Sequence, residues 1–91
     1  MADQVLEGIR VLDFGRYIAG PFCGTMLADF GAEVIRVEKL DGSEDRFVAP
    51  VGPGAGANFI TMGRNKKGLT LNPMKPEGQM VLKRLLPTVD V

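Results

Sequence analysis

The residues best equipped for chemistry are few and clustered. Gly15-Arg16-Tyr17-Ile18-Ala19-Gly20-Pro21 joins an apolar run to a helical pattern, with glycines to bend the backbone and a cation between them. A helix that begins at such a turn offers unpaired backbone N–H groups and the positive end of its dipole, which together favour phosphate. The spacing is Gly-x-x-x-x-Gly-Pro and not the Gly-x-Gly-x-x-Gly of dinucleotide sites. Two readings therefore stay open: a phosphate seat, or glycines needed only for close packing. Further along, Arg64, Lys66 and Lys67 form a basic run, with Lys39 and Lys75 as candidate neighbours. Such a run is either a solvated loop or a cradle for a polyphosphate, in which Arg supplies a planar fork and Lys a point charge. Glu38-Lys39 falls where nucleotide-binding folds contact a ribose or its phosphate.

Other chemistry is excluded or weak. The chain contains no histidine and one cysteine, so a histidine acid, base or metal ligand within it is excluded and the composition argues against a zinc site. One cysteine also excludes an internal disulfide framework and fits a reducing cytosol. Beside Phe22 and Met26, Cys23 reads as a small core side chain rather than a reactive thiol. Asp13 reads as a strand-end residue that orients the turn, and Asp29 as helix surface. Acids and bases balance at 11 each, which argues against a nucleic-acid binder. No signal-peptide layout and no membrane-length apolar run is present, so a cytoplasmic, membrane-free protein is expected.

Positioning these groups calls for alternating strands and helices. Ile9 to Phe14 is rich in β-branched and aromatic residues and predicts a strand buried on both faces. A helix follows from about Pro21 to Phe30, with Phe22, Met26, Leu27 and Phe30 on one face and Gly31 as its stop. Val34, Ile35 and Val37 predict a second strand, parallel to the first. Leu40 to Ala57, centred on Gly52-Pro53-Gly54-Ala55-Gly56, predicts a long loop, either functional or plainly exposed. Asn58 to Met62 fits a short helical turn and Gly68 to Leu71 a third strand. Pro76 opens a second full helix with Val81, Leu82, Leu85 and Leu86 on its apolar face, and Pro87 closes it. Val89-Asp90-Val91 begins a further strand. The expected class is α/β, built of Rossmann-like βαβ units on a parallel sheet that is incomplete at its C-terminus. A chain that stops inside a strand reads as a truncated piece.

Several blocks, taken in order, resemble the opening of family III CoA-transferases. They are Gly8-Ile9-Arg10-Val11-Leu12-Asp13-Phe14, Ala19-Gly20-Pro21-Phe22-Cys23 and Leu27-Ala28-Asp29-Phe30-Gly31-Ala32-Glu33-Val34-Ile35-Arg36-Val37-Glu38. Asn65-Lys66-Lys67-Gly68-Leu69-Thr70-Leu71 and Pro76-Glu77-Gly78 continue the match, so that it covers nearly the whole chain, residues 1–91 being the N-terminal part of one such domain. The family includes formyl-CoA transferase, carnitine-CoA transferases and alpha-methylacyl-CoA racemase.

The resemblance implies CoA or acyl-CoA thioesters as substrate, no metal, and a homodimer of interlocked subunits in full-length members. It places CoA beside the turn at Arg16, Tyr17, Ile18 and Ala19, near Lys39, and near Leu71 and Asn72, which match the segment by the adenine. The family commonly reads Asp-x-Lys-Ser/Thr-Pro-Glu-Gly where this chain has Asn72-Pro73-Met74-Lys75-Pro76-Glu77-Gly78. Lys75 is one place later than the CoA-holding Lys, and it occupies the helix cap without an acceptor oxygen, a change that costs about 1 kcal/mol. The transferases form an acyl-aspartyl intermediate, and that Asp lies downstream of Val91, as do the racemase's acid and base. No residue of this chain is assigned the chemical step. The alternatives are an acyl-CoA racemase of the same family, a dinucleotide-binding module of an oxidoreductase with Glu38 at the ribose, and a non-catalytic remnant.

Overall fold

The computed structural model describes residues 4–43, 46, 51–52 and 55–91. Expectations for residues 1–3 and for Pro53-Gly54, the centre of the long loop, lie outside them. The first strand, β1 (Arg10–Asp13), leads through the glycine turn to helix α1 (Ala19–Asp29) and then to β2 (Glu33–Glu38). The parts of the long loop that are described include a two-residue antiparallel pair, β3 (Val51–Gly52) with β4 (Ala55–Gly56). Helix α2 (Ala57–Met62), strand β5 (Lys67–Thr70), helix α3 (Pro76–Leu85) and a 3₁₀ turn (Leu86–Thr88) complete the order.

Three strands form one parallel sheet in the order β1, β2, β5. Arg10 lies opposite Glu33 and Asp13 opposite Arg36, while Ile35 pairs with Lys67 and Glu38 with Thr70. The α/β class and the parallel pairing expected from the sequence are both present. Residues 89–91 then return to the free edge of β1, where the Asp90 N–H donates to Arg10 O at 2.8 Å and the Leu12 N–H to Val91 O at 2.9 Å. They are bonded to the sheet edge without completing a strand.

This return reverses the direction in which the sheet is built. The crossover from β1 to β2 carries α1 over the face bearing Val11 and Val34, and Ala28 of that helix packs with both. Leu69 of β5 is aligned with Val37, on the opposite pleat from Val34 and Arg36. It borders a groove with Val81 and Leu85, so α3 flanks the other face. In an open parallel sheet, ligands bind beyond the carboxyl ends of the strands at such a reversal.

Helix α1 departs from the sequence reading in two ways. It starts two residues before Pro21, which becomes its third residue. Proline is tolerated there because the first-turn N–H groups have no partner within the helix. The first ladder bond runs from the Phe22 N–H to Ile18 O at 2.7 Å. Its buried face is also not the expected large-residue stripe. Pro21, Gly24, Thr25 and Ala28 are buried, whereas Phe22, Met26 and Phe30 are 46%, 45% and 54% exposed. Leu27 alone of the expected set packs against the core.

The reason is distance. A Cβ on Gly15 would lie 2.9 Å from the Gly20 Cα and 2.9 Å from the Pro21 ring, so the helix start sits almost on the strand end. Only small side chains fit between helix and sheet at that separation. Gly31, at φ +108°, ends the helix as expected. The resulting core is small: Val11, Ala28, Ala32 and Val34, with Leu6, Ile9 and Leu27 packed against it. Each buried valine contributes about 1.5–3 kcal/mol. Helix α3 buries only Gly78, and Val81 and Leu86 on its expected apolar face remain 43% and 52% exposed.

Candidate functional site

The turn after β1 is fixed from below. Asp13 ends the strand with its side chain on the α1 face, buried at 6% exposure. One carboxylate oxygen, Oδ1, accepts the Gly15 N–H at 2.8 Å, as expected of a residue that orients the turn. The other, Oδ2, receives Lys66 Nζ at 2.6 Å, and the same ammonium donates to Pro21 O at 2.9 Å. Lys66 is thus neither a solvated loop cation nor part of an open cradle, because its side chain is only 2% exposed. Gly24 makes room for the pair: a Cβ there would stand 3.0 Å from Asp13 Oδ2 and 3.2 Å from Lys66 Nζ.

The rest of the basic run is likewise engaged. Arg64 pairs with Asp29 at 2.8 Å and donates to Thr61 O, while Lys67 reaches Glu33 Oε2 at 2.9 Å. Glu33 also takes Arg10 Nε at 2.6 Å. Hydrogen bonds from Lys67 and then Arg10 hold its carboxyl below the ordinary value, against a smaller opposing effect of burial. The three cations of the run therefore point to three different acids, and the polyphosphate cradle expected as one reading does not assemble from them. Asp29, read as helix surface, is the exposed partner of one of them.

Above the ion pair, Arg16, Tyr17, Ile18 and Ala19 are all exposed. Tyr17 has φ +67°, a left-handed conformation that is costly for a bulky side chain and concentrates at functional turns. The carboxyl ends of β1, β2 and β5 enclose a notch of about 140 Å³ lined by Phe14, Arg16, Val37, Glu38, Lys39, Ser43, Leu71 and Pro73. Arg16, Lys39 and Leu71, chosen from three separate parts of the sequence, meet here. The volume is below the roughly 300 Å³ of a closed ligand pocket. It suits one portion of a larger ligand. Leu71 is buried and also borders a second groove with Leu40, Asn72, Lys75, Glu77 and Gly78. Asn72 and Lys75 belong to that groove and not to the notch. Asn72 Oδ1 accepts the Met74 N–H at 3.0 Å, which shapes the entry to α3. Lys75 is the helix cap residue and supplies no side-chain cap bond, as its chemistry dictates.

Glu38 is occupied. Arg46 donates to both of its oxygens, through Nε at 2.7 Å and a terminal nitrogen at 2.8 Å, and the Ser43 N–H adds a third bond at 2.9 Å. The Arg46 bond, more than the smaller contributions of Ser43 and the Arg46 and Arg36 charges, lowers the carboxyl's pKa although burial opposes it. The Arg46 guanidinium in turn stacks over Phe59 at 4.2 Å, with Arg36 5.1 Å from the same ring. The acid expected at a ribose position is committed to anchoring the loop instead. Sequence reasoning missed this cluster because its members are scattered and Arg46 lies in a loop without pattern.

Cys23 is exposed, contrary to the expectation of a core side chain. It borders a crevice with Val11, Asp13, Gly20, Leu27 and Val91, beside the close-packed face and not on it. Among the described residues no cluster of His, Cys, Asp and Glu suited to a metal is found. Nor, among them, is any helix long and apolar enough to cross a membrane.

Comparison with known proteins agrees with this architecture. Residues 6–91 match the family model described as CoA-transferase family III. A succinyl-CoA–D-citramalate CoA-transferase of Chloroflexus aurantiacus is 45% identical over 94% of this chain, and an alpha-methylacyl-CoA racemase of Mus musculus is 38% identical over 97%. The crystal structure of a CAIB/BAIF family protein from Brucella suis superposes over 98% of the chain with a TM-score of 0.89 at 32% identity. The chain spans 22%, 19% and 25% of these three proteins respectively. On the match along residues 6–91 and the shared parallel sheet, the chain belongs to CoA-transferase family III.

Proposed function

We propose that this chain is the CoA-binding N-terminal segment of a CoA-transferase that moves CoA between carboxylic acids through an acyl-aspartyl intermediate, the nucleophilic Asp being supplied from outside residues 1–91. One observation carries the reading: Arg16, Lys39 and Leu71 converge on a notch at the carboxyl ends of the parallel strands. There the turn and its cation receive the phosphates of CoA, Arg16 as a planar fork and Lys39 as a point charge. Tyr17, Ile18 and Ala19 border the ligand along the turn. Leu71 and Asn72 flank the adenine, and Lys75 lies at the far margin of that groove.

In this mechanism the segment binds and orients the thioester's nucleotide end, and the bond-breaking step belongs to the absent carboxylate. CoA is a substrate, and no metal is required. The intact protein is a cytoplasmic homodimer of interlocked subunits, with neither nucleic acid nor membrane as partner, and residues 1–91 alone bind without catalysing transfer.

Isothermal titration of CoA into the wild-type chain and into Arg16→Glu and Lys39→Glu tests the assignment. Charge reversal is expected to weaken binding about tenfold or more at each position. Undiminished affinity in both variants would remove these residues from the site. Racemisation of an acyl-CoA is the second reading, favoured by the 38% identity to the mouse racemase. Assaying the intact protein for both transfer and racemisation separates the two. A dinucleotide-binding module is disfavoured by the engagement of both Glu38 oxygens. Greater thermal stabilisation by NAD than by CoA would restore it.

A further inference from the structure

We infer that Lys66 is a positioning residue for the CoA turn: acting through Asp13, it holds residues 14–20 in the form that receives the ligand. This rests on the proposed function and carries it to a side chain that touches no ligand. At 2% exposure the Lys66 side chain cannot reach a bound nucleotide, and its ammonium is directed at the protein interior. The two ends of the turn terminate on this one ammonium. The near end does so through Asp13, whose second oxygen takes the Gly15 N–H at 2.8 Å. The far end does so directly, Pro21 O accepting at 2.9 Å. Because Lys66 immediately precedes β5, the contact ties the end of the first strand and the first turn of α1 to the third strand, 53 positions away in sequence.

Stability alone is a poor account of the arrangement, since a buried ion pair is often no better than apolar residues of the same volume. Orientation is a better one. Tyr17 sits between the two anchored ends in a left-handed conformation that persists only when its surroundings dictate it. The space left at Gly24 admits the pair with nothing to spare. A fixed carboxylate under the turn keeps the Gly15 amide, and the backbone that follows it, preset before ligand arrives. Less ordering is then lost on binding.

The test uses the full 91-residue chain. Lys66→Met removes the ammonium at similar length, but it leaves Asp13 charged and buried. The double variant Asp13→Asn/Lys66→Met removes both charges and is the form expected to fold. Amide hydrogen exchange by NMR is compared at residues 15–19 and at Val11 and Val34 in the sheet, together with CoA affinity by calorimetry. The expected result is exchange about tenfold faster in the turn alone and CoA bound about tenfold more weakly, the size of one lost charged hydrogen bond. Unchanged exchange at residues 15–19 in the folded double variant overturns the inference whatever happens to CoA. Faster exchange with CoA affinity within twofold of wild type overturns it equally, because the turn's order then does not matter to the ligand. Should the wild-type chain bind no CoA, the functional reading falls, and with it the role of Lys66 toward that ligand. The exchange comparison would still show separately whether Lys66 orders the turn.

Discussion

Replacing Gly78 by alanine sets two effects of known size against each other. Gly78 is the third residue of α3, where exchange of glycine for alanine favours a helix by about 1 kcal/mol. The position is buried, however, and an added Cβ would fall 1.8 Å from the carbonyl oxygen of Asn72 and 2.6 Å from its carbon. Ordinary contact requires about 3.5 Å, so helix and preceding loop must separate by roughly 1.5 Å. Both are backbone and neither can rotate aside. The same Asn72 carbonyl accepts the Lys75 N–H at 3.2 Å, so the displacement also disturbs the turn that starts the helix.

Overpacking of this kind costs about 3 kcal/mol at the upper end of its usual range. After the propensity gain, a net loss of about 2 kcal/mol remains. For a chain of this size that lowers the melting temperature by about 10 °C. Gly68, in β5, is the control, because nothing lies within 4 Å of its added Cβ. Gly68→Ala should be neutral or stabilising by about 0.5 kcal/mol. Thermal and urea unfolding followed by circular dichroism measure both. A Gly78→Ala chain that melts at or above the wild-type temperature would refute the close-approach argument.

Two further predictions concern the same end of the sheet. Lys75→Ser should supply the missing cap and raise stability by about 1 kcal/mol in urea unfolding, and an unchanged midpoint would show that the cap is already satisfied. Arg46→Ala should cost about 2 kcal/mol at neutral pH, because it leaves the buried Glu38 carboxylate with only the Ser43 N–H and the more distant Arg36. Glu38 binds its proton less readily folded than unfolded. Its stabilising contribution is therefore present above the unfolded value of about 4.3 and is lost as pH falls through the lower folded value. The stability gap between wild type and Arg46→Ala should accordingly close on acidification. A gap that stays constant from pH 6 to pH 3 would contradict the assignment.

What the sequence disclosed and what it concealed divide by range. The strand–helix–strand rhythm, the helix stop at Gly31, the opening of α3 at Pro76 and its lack of a cap are local matters, and each is present. Asp13 could be read as orienting its turn because Gly15 is two residues away. The partner on its other oxygen could not, because Lys66 meets it only once β5 has been laid beside β2. The basic run looked like one feature because its members are adjacent in sequence. In space it divides among Asp13, Asp29 and Glu33.

Helix α1 carries a subtler lesson. Hydropathy favours the face with Phe22, Met26 and Phe30, yet separation between backbones decided the packing, and that quantity is written in the small residues Gly20, Gly24, Thr25 and Ala28. The notch could be anticipated in part, since Arg16 and Lys39 both follow strands whose ends must be neighbours. Ser43 and Pro73 in its wall belong to loops whose course follows no periodic pattern.

The contact between Gly15 and Gly20 has a consequence for how such a segment can diversify. A side chain at Gly15 would stand 2.9 Å from the Gly20 α-carbon and one at Gly20 3.0 Å from the Gly15 α-carbon, so either would press the two backbones apart. The loop is therefore pinched shut at its base by atoms every amino acid shares. The four residues strung between those points are exposed, and Arg16 lines the notch at the strand ends. Side chains on this rim can change with less disturbance to the frame than at the two glycines, provided that position 17 keeps its left-handed backbone, which gives the fold a variable rim on a fixed clasp.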